Sequence, residues 1–79
     1  MSQTPEQIAA ETHRRHLIID LRYAIDGMAE RYADSRGDWT IYQVTGNPDL
    51  AAKHSRAAKR QRKALQRLTS ALANLAVGA

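Results

Sequence analysis

Two runs of apolar residues, each stepping alternately by three and by four, constrain this chain more than anything else in it. The first is Ile18, Leu21, Ile25, Met28 and Tyr32; the second is Leu65, Leu68, Leu72 and Leu75. That alternation keeps side chains on one line of an α-helix, and it is the spacing along which two helices pack. Leu17 joins the first stripe, and the six residues lie within about 60° of one meridian at 100° per residue. Ala24 and Ala29 flank it and permit close approach. Gly27 lies off the stripe and weakens the helix by up to ~1 kcal/mol.

Local signals predict where each helix begins and ends. Thr4 reads as an N-cap, Pro5 as N1 and Gln7 as the N3 partner of a capping box, with Glu6 at the positive end of the helix dipole. A first helix is expected over about 5–35. Its opening stretch, residues 5–16, has Ile8 as its one large apolar anchor and reads either as a separate turn or as a segment ordered by a partner. Arg36-Gly37-Asp38 then supplies a stop, with Gly37 as the C′ residue. The next six residues, Trp39-Thr40-Ile41-Tyr42-Gln43-Val44, are rich in β-branched and aromatic types, so 38–46 is expected to be an extended connector. Such a segment either pairs as a short strand across a dimer or straps over the helices. Asn47 as N-cap, Pro48 as N1 and Asp49 in the first turn start a second helix, expected over about 48–76 with Gly78 as a stop or a loose end. The expected fold is all-α: an antiparallel helical hairpin with a short extended or β segment between the helices.

A single small domain of 79 residues buries about 60 % of its unfolded surface and is marginal as a monomer. Large apolar residues are scarce: seven Leu, five Ile, two Val, two Met and one Trp, against fourteen Ala that add little to a core. Cysteine is absent, which excludes disulfides and suits an intracellular protein. His13 and His16 are spaced i,i+3, but no third ligand is evident, so no metal and no other cofactor is expected. A homo-oligomer, most simply a dimeric helical bundle, is the expected remedy for the thin core. Its candidate contacts, with itself or with a partner, are Leu65, Leu68, Leu72 and Leu75, the pair Ile19 and Tyr23 opposite the first seam, and Trp39, which is either an interface anchor or core. No apolar run reaches the about 18 residues of a membrane span, and the opening MSQTPEQ lacks the pattern of a secretory signal, so the cytoplasm is the expected location.

Charge is divided unevenly. Residues 1–46 hold five bases and seven acids, a net −2, whereas residues 47–79 hold seven bases and one acid, a net +6. Lys53, Arg56, Arg60, Lys63 and Arg67 step by three and four, forming a second stripe within about 80° beside the leucine stripe, and Lys59 and Arg62 widen it. Arg56–Arg60, Lys59–Lys63 and Lys63–Arg67 are like charges at i,i+4, each mildly destabilising. The acids of the first helix are spread around its wheel and match this stripe poorly. Gln61, within the second seam, either fixes register or sits where the seam opens to water. No nucleophile with a base and an orienting acid is evident, and Arg14, Arg15, His13 and His16 have Glu11 and Asp20 to neutralise them, so no enzymatic activity is expected. The expected partners are DNA or RNA, held through phosphates by Lys53, Arg56, Lys59, Arg60, Lys63 and Arg67 in a nucleic-acid-associated accessory or regulatory protein. The alternative is an acidic protein surface, met by an adaptor, inhibitor or assembly component.

Overall fold

The computed structural model describes residues 2–77. They form two helices, α1 (Pro5–Val44) and α2 (Pro48–Val77), which pack against each other as a hairpin. The result is a rod whose Cα extents are 66 × 15 × 12 Å. Gly78, expected as a stop or a loose end of α2, lies outside the described residues.

The N-terminus of α1 follows its cap residues. The Thr4 hydroxyl accepts from the Gln7 backbone N–H at 3.2 Å, and the Gln7 side chain accepts from the Thr4 N–H at 2.9 Å, completing the capping box. Gln3 donates to the Glu11 carboxylate at 3.3 Å, and Arg15 meets the same group at 2.9 Å. The Gln3 hydrogen bond first, and the Arg15 charge second, hold the Glu11 carboxyl below its ordinary range. This small contribution is complete above that ordinary range and is lost as pH falls through the lowered value. Residues 5–16, expected as a separate turn or as a partner-ordered segment, belong to the same uninterrupted helix as residues 17–44.

The C-terminus of α1 corrects the sequence reading. The segment expected to be extended, 38–46, is α-helical as far as Val44, and Gly37 sits in the helix interior with open space where a Cβ would be. The stop comes nine residues later. Gly46 has φ +74, the left-handed conformation that closes a helix at C′. The Gly46 N–H donates to the Gln43 carbonyl at 3.3 Å and the Asn47 N–H to the Tyr42 carbonyl at 2.9 Å, the paired bonds of a Schellman motif. Asn47 also opens α2: its side-chain oxygen accepts from the Leu50 N–H at 3.4 Å and its carbonyl from the Ala51 N–H at 3.0 Å. One residue thus finishes α1 and starts α2.

Burial explains why α1 continues past Arg36-Gly37-Asp38. The half-buried and buried positions of α1 run Glu11, Arg14, Ile18, Leu21, Ile25, Met28, Tyr32, Ser35, Trp39, Tyr42, stepping by three and four throughout. Those of α2 include Ala51, His54, Ala58, Gln61, Leu65, Leu68, Leu72 and Leu75, in the same rhythm. These are the a and d positions of an antiparallel coiled coil. Counted back from the turn, Tyr42 lies level with Ala51, Trp39 with His54, Ser35 with Ala58 and Tyr32 with Gln61. Beyond them Met28, Ile25, Leu21 and Ile18 meet Leu65, Leu68, Leu72 and Leu75. The turn-proximal half therefore sets large rings on α1 against small or polar residues on α2, and the distal half sets aliphatic on aliphatic. Ala51 and Ala58 are each 7 % exposed. Covering Trp39 and Tyr42 on these alanines outweighs the ~1 kcal/mol that a helical glycine costs and the β preference of Thr40, Ile41 and Val44.

Two contacts tie the ends of the hairpin. Near the turn, His54 stacks on Tyr42 with ring centroids 5.2 Å apart and planes 16° from parallel, and its Nδ1 lies 3.8 Å from Asp38. At the other end, Arg14 donates to the Leu75 carbonyl at 3.1 Å, satisfying one free acceptor at the C-terminus of α2. With 40 residues against 30, α1 overhangs α2 by about 15 Å beyond that clasp. Within the seam the Oε1 of Gln61 is buried and has no hydrogen-bond partner among the described residues.

Two glycine substitutions test the corrected helix end, with opposite signs. Gly37→Ala should stabilise the protein by up to ~1 kcal/mol, because the position is helical and open. Gly46→Ala should destabilise it by about 1 kcal/mol, because its left-handed conformation penalises a Cβ. Were the helix to end at Gly37, the first substitution would destabilise, so paired thermal melts followed by circular dichroism distinguish the two. Gln61→Leu should raise stability by about 1 kcal/mol by removing an unsatisfied buried acceptor, measurable in the same melts.

Candidate polyanion-binding face

The register of α2 decides where its charges go. With Ala51, His54, Ala58 and Gln61 turned to α1, residues three and four apart on the opposite side turn outward. Lys53, Arg56, Arg60, Lys63 and Arg67 occupy that outward line, and all are exposed. Lys59 and Arg62, also exposed, sit between this line and the seam. The stripe from Lys53 to Arg67 is about 21 Å long.

No carboxylate answers it. Among the described residues the ion pairs are Arg15–Glu11, within α1, and the longer His54–Asp38 contact, so none of the Lys or Arg side chains of α2 is paired. Asp20, Asp26, Glu30 and Asp34 are exposed on α1, on sides turned away from α2. The basic stripe consequently faces water along one long side of the rod, with its like charges stacked a turn apart.

The remaining residues singled out from sequence fall into two groups. Leu65, Leu68, Leu72 and Leu75 are half-buried in the seam with α1, and Trp39 is half-buried near the turn. Ile19 and Tyr23 face outward, 50 % and 75 % exposed, and with Arg22 and Asp26 they line a shallow depression on α1.

Sequence reasoning missed a groove. Along one flank of the seam, Tyr32, Arg36 and Trp39 of α1 and Ser55, Ala58, Lys59 and Arg62 of α2 line a single depression. A second depression shares Trp39 and Ser55 with it and runs on past Tyr42, Gln43 and Ala52 to the turn. The Arg36 guanidinium lies over the Tyr32 ring, 5.8 Å from its centroid, a cation–π contact. No acid lines either depression. The signal that would have revealed the groove is the 3-4 rhythm itself, carried on from Tyr32 through Ser35 and Trp39 to Tyr42. Chemically the basic face and this groove offer cations and aromatic rings. Among the described residues, no three His, Asp or Glu side chains come together as metal ligands would, and no helix is long and apolar enough to cross a membrane.

Compared with protein-family models, curated proteins and solved structures, the chain matches none.

The charge arrangement has a consequence for stability. Lys63 repels both Lys59 and Arg67 at i,i+4. Lys63→Glu should turn both repulsions into attractions and stabilise the free protein by about 1 kcal/mol, at ~0.2–0.5 kcal/mol for each change. Urea unfolding at low salt measures this, and the gain should shrink as salt is added.

Proposed function

We propose that this protein is a small non-catalytic nucleic-acid-associated accessory or regulatory protein that holds phosphates on the outward face of α2. The observation that carries the reading is the set of exposed, unpaired bases along that face, Lys53, Arg56, Lys59, Arg60, Lys63 and Arg67. A helix that needed only solubility gains nothing from stacking like charges; a polyanion relieves their repulsion and releases its own counterions on binding. Contacts of this kind are made to the backbone and carry little sequence information.

The acting unit in this reading is a homodimer. Its support is the thin seam: no large side chain among the described residues is fully buried, and Leu65, Leu68, Leu72 and Leu75 are all left half-covered by α1. A second hairpin lying along the alanine flank of α2, where Ala57, Ala64 and Ala71 permit close approach, covers those leucines and leaves the basic face outward. The other reading, docking on an acidic protein surface, draws support from the exposed Ile19 and Tyr23, which add apolar contact next to charged neighbours.

Binding of fluorescently labelled DNA or RNA, followed by anisotropy at several salt concentrations, tests the proposal. Affinity should fall steeply with salt, with a log–log slope of about −3 to −4, and each base lost from the stripe should flatten that slope by about 1. The triple replacement Arg56→Glu, Arg60→Glu and Lys63→Glu should abolish binding at near-physiological salt. Affinity that ignores both salt and this replacement sinks the nucleic-acid reading and favours the protein-docking one.

A further inference from the structure

The groove beside the seam differs from the outward face of α2 in one respect that matters for its ligand: it contains rings. Trp39 and Tyr32 line it, one heptad apart, and Arg36, Lys59 and Arg62 border it with no acid among them. Two of those cations, Lys59 and Arg62, also belong to the flank of the basic face, so the groove and the face form one continuous cationic surface. A ring is of no use to a phosphate. It is of use to an unpaired base, which stacks on an aromatic face or on a guanidinium plane while cations track the backbone.

We infer that this groove is a binding site for single-stranded nucleic acid, with Trp39 as the principal stacking platform. The inference rests on the phosphate-binding reading of the α2 face and adds the class of ligand to it. Tyr32 and Trp39 are about 10 Å apart along α1, roughly three times the 3.4 Å step between stacked bases. A strand that places one base on Trp39 brings a base a few nucleotides away to Tyr32. There it meets the Arg36 guanidinium already lying over the ring, a planar cation on which a base stacks equally well. Lys59 and Arg62, both exposed, reach the phosphates between them. Ser55 and Ala58, the α2 residues of the groove, are small, and this keeps it open beside Trp39. The depression shared through Trp39 and Ser55 continues past Tyr42 and Gln43, and the strand leaves toward the turn along it. A duplex offers no unpaired base and contacts only the outward stripe, so the groove predicts a preference for single strands.

Trp39 is the only tryptophan in the chain, so its emission reports on the groove alone. The experiment titrates the full chain with four probes at low salt: a twelve-nucleotide oligo(dT), an oligo(U) of the same length, a duplex of that length and inorganic polyphosphate. Binding is followed by anisotropy or sedimentation, and Trp39 emission is recorded in parallel. Both single strands should bind and quench Trp39, the oligo(dT) and oligo(U) arms separating DNA from RNA. Duplex and polyphosphate should bind with Trp39 emission unchanged. Trp39→Leu keeps an apolar side chain in the seam and should weaken single-strand binding about tenfold while leaving duplex binding within about twofold; Arg62→Glu, at an exposed residue bordering both surfaces, should also weaken single-strand binding about tenfold. Circular dichroism establishes that both variants fold. Saturating single-strand binding without quenching, or single-strand affinity that neither substitution changes, overturns the groove while leaving the phosphate reading of the outward stripe intact. Trp39 emission that shifts with protein concentration alone and ignores every oligonucleotide identifies a second copy of the chain as the occupant, which also overturns it. Failure of all four probes to bind removes the basic-face reading and the groove together.

Discussion

The packing of large rings on α1 against alanines on α2 is the contact on which the rest of this molecule depends. Tyr42 and Trp39 are held where α2 offers Ala51 and Ala58, and a larger residue at either alanine would push the helices apart just where they turn. Close approach there has three results. It holds α1 helical through a stretch whose local preferences favour extension. It brings His54 flat against Tyr42 and near Asp38. It also leaves Trp39 and Tyr32 only half covered, because Ser55 and Ala58 on the groove side of α2 are too short to reach around the rings. The distal half of the seam, with Leu65, Leu68, Leu72 and Leu75 against Ile18, Leu21, Ile25 and Met28, supplies ordinary aliphatic cohesion. The proximal half supplies register and shape.

The same register sorts the charges. Once the alanine and leucine positions of α2 are committed to α1, every Lys and Arg of that helix is left at an exposed position, five of them on one outward line. Asp20, Asp26, Glu30 and Asp34 of α1 are turned away from α2 and Asp38 meets His54, so the lysines and arginines of α2 are left without carboxylate partners among the described residues. A rod so narrow has no interior in which to neutralise charge. It meets its surroundings with a cationic side and, along one flank of the seam, with rings. The free protein bears the repulsion between stacked cations.

Much of this was legible in the sequence, and what was not has a common cause. The Thr4-Pro5-Gln7 cap, the Asn47-Pro48 boundary, the 18–32 seam and the leucine seam all depend on residues within a turn or two of each other, and all stand in the structure. The outward basic stripe was legible for the same reason, since it needs only the periodicity of one helix. The segment 38–46 was misjudged because Gly37, Thr40, Ile41 and Val44 speak locally for a stop and a strand, while the residues that overrule them, Ala51 and Ala58, belong to the other helix. Alanine gives no hydrophobic signal strong enough to announce that it faces a tryptophan. The groove stayed hidden for the same reason: with Trp39 placed on an extended arm, nothing brought it alongside Tyr32 or near Arg62. The missing information was complementarity of size across the seam, and a longer reading of the 3-4 rhythm on α1 would have supplied half of it.

Asn47 serving as the last residue of one helix motif and the first of the next also makes the corner a phase-setter. Each residue advances α2 by about 100° around its own axis. The three residues Thr45, Gly46 and Asn47 thus fix the azimuth at which the cationic line leaves the turn relative to the rings of α1. The seam sets that same azimuth independently, by the demand that Ala51 and Ala58 face inward. The two settings agree in this chain. A corner longer or shorter by one residue puts them out of phase, so that either the seam or the Schellman closure must give way. The spatial relation between the cations and the rings is therefore built into the length of the turn, and the chain is free to vary its outward side chains only so long as that count is kept.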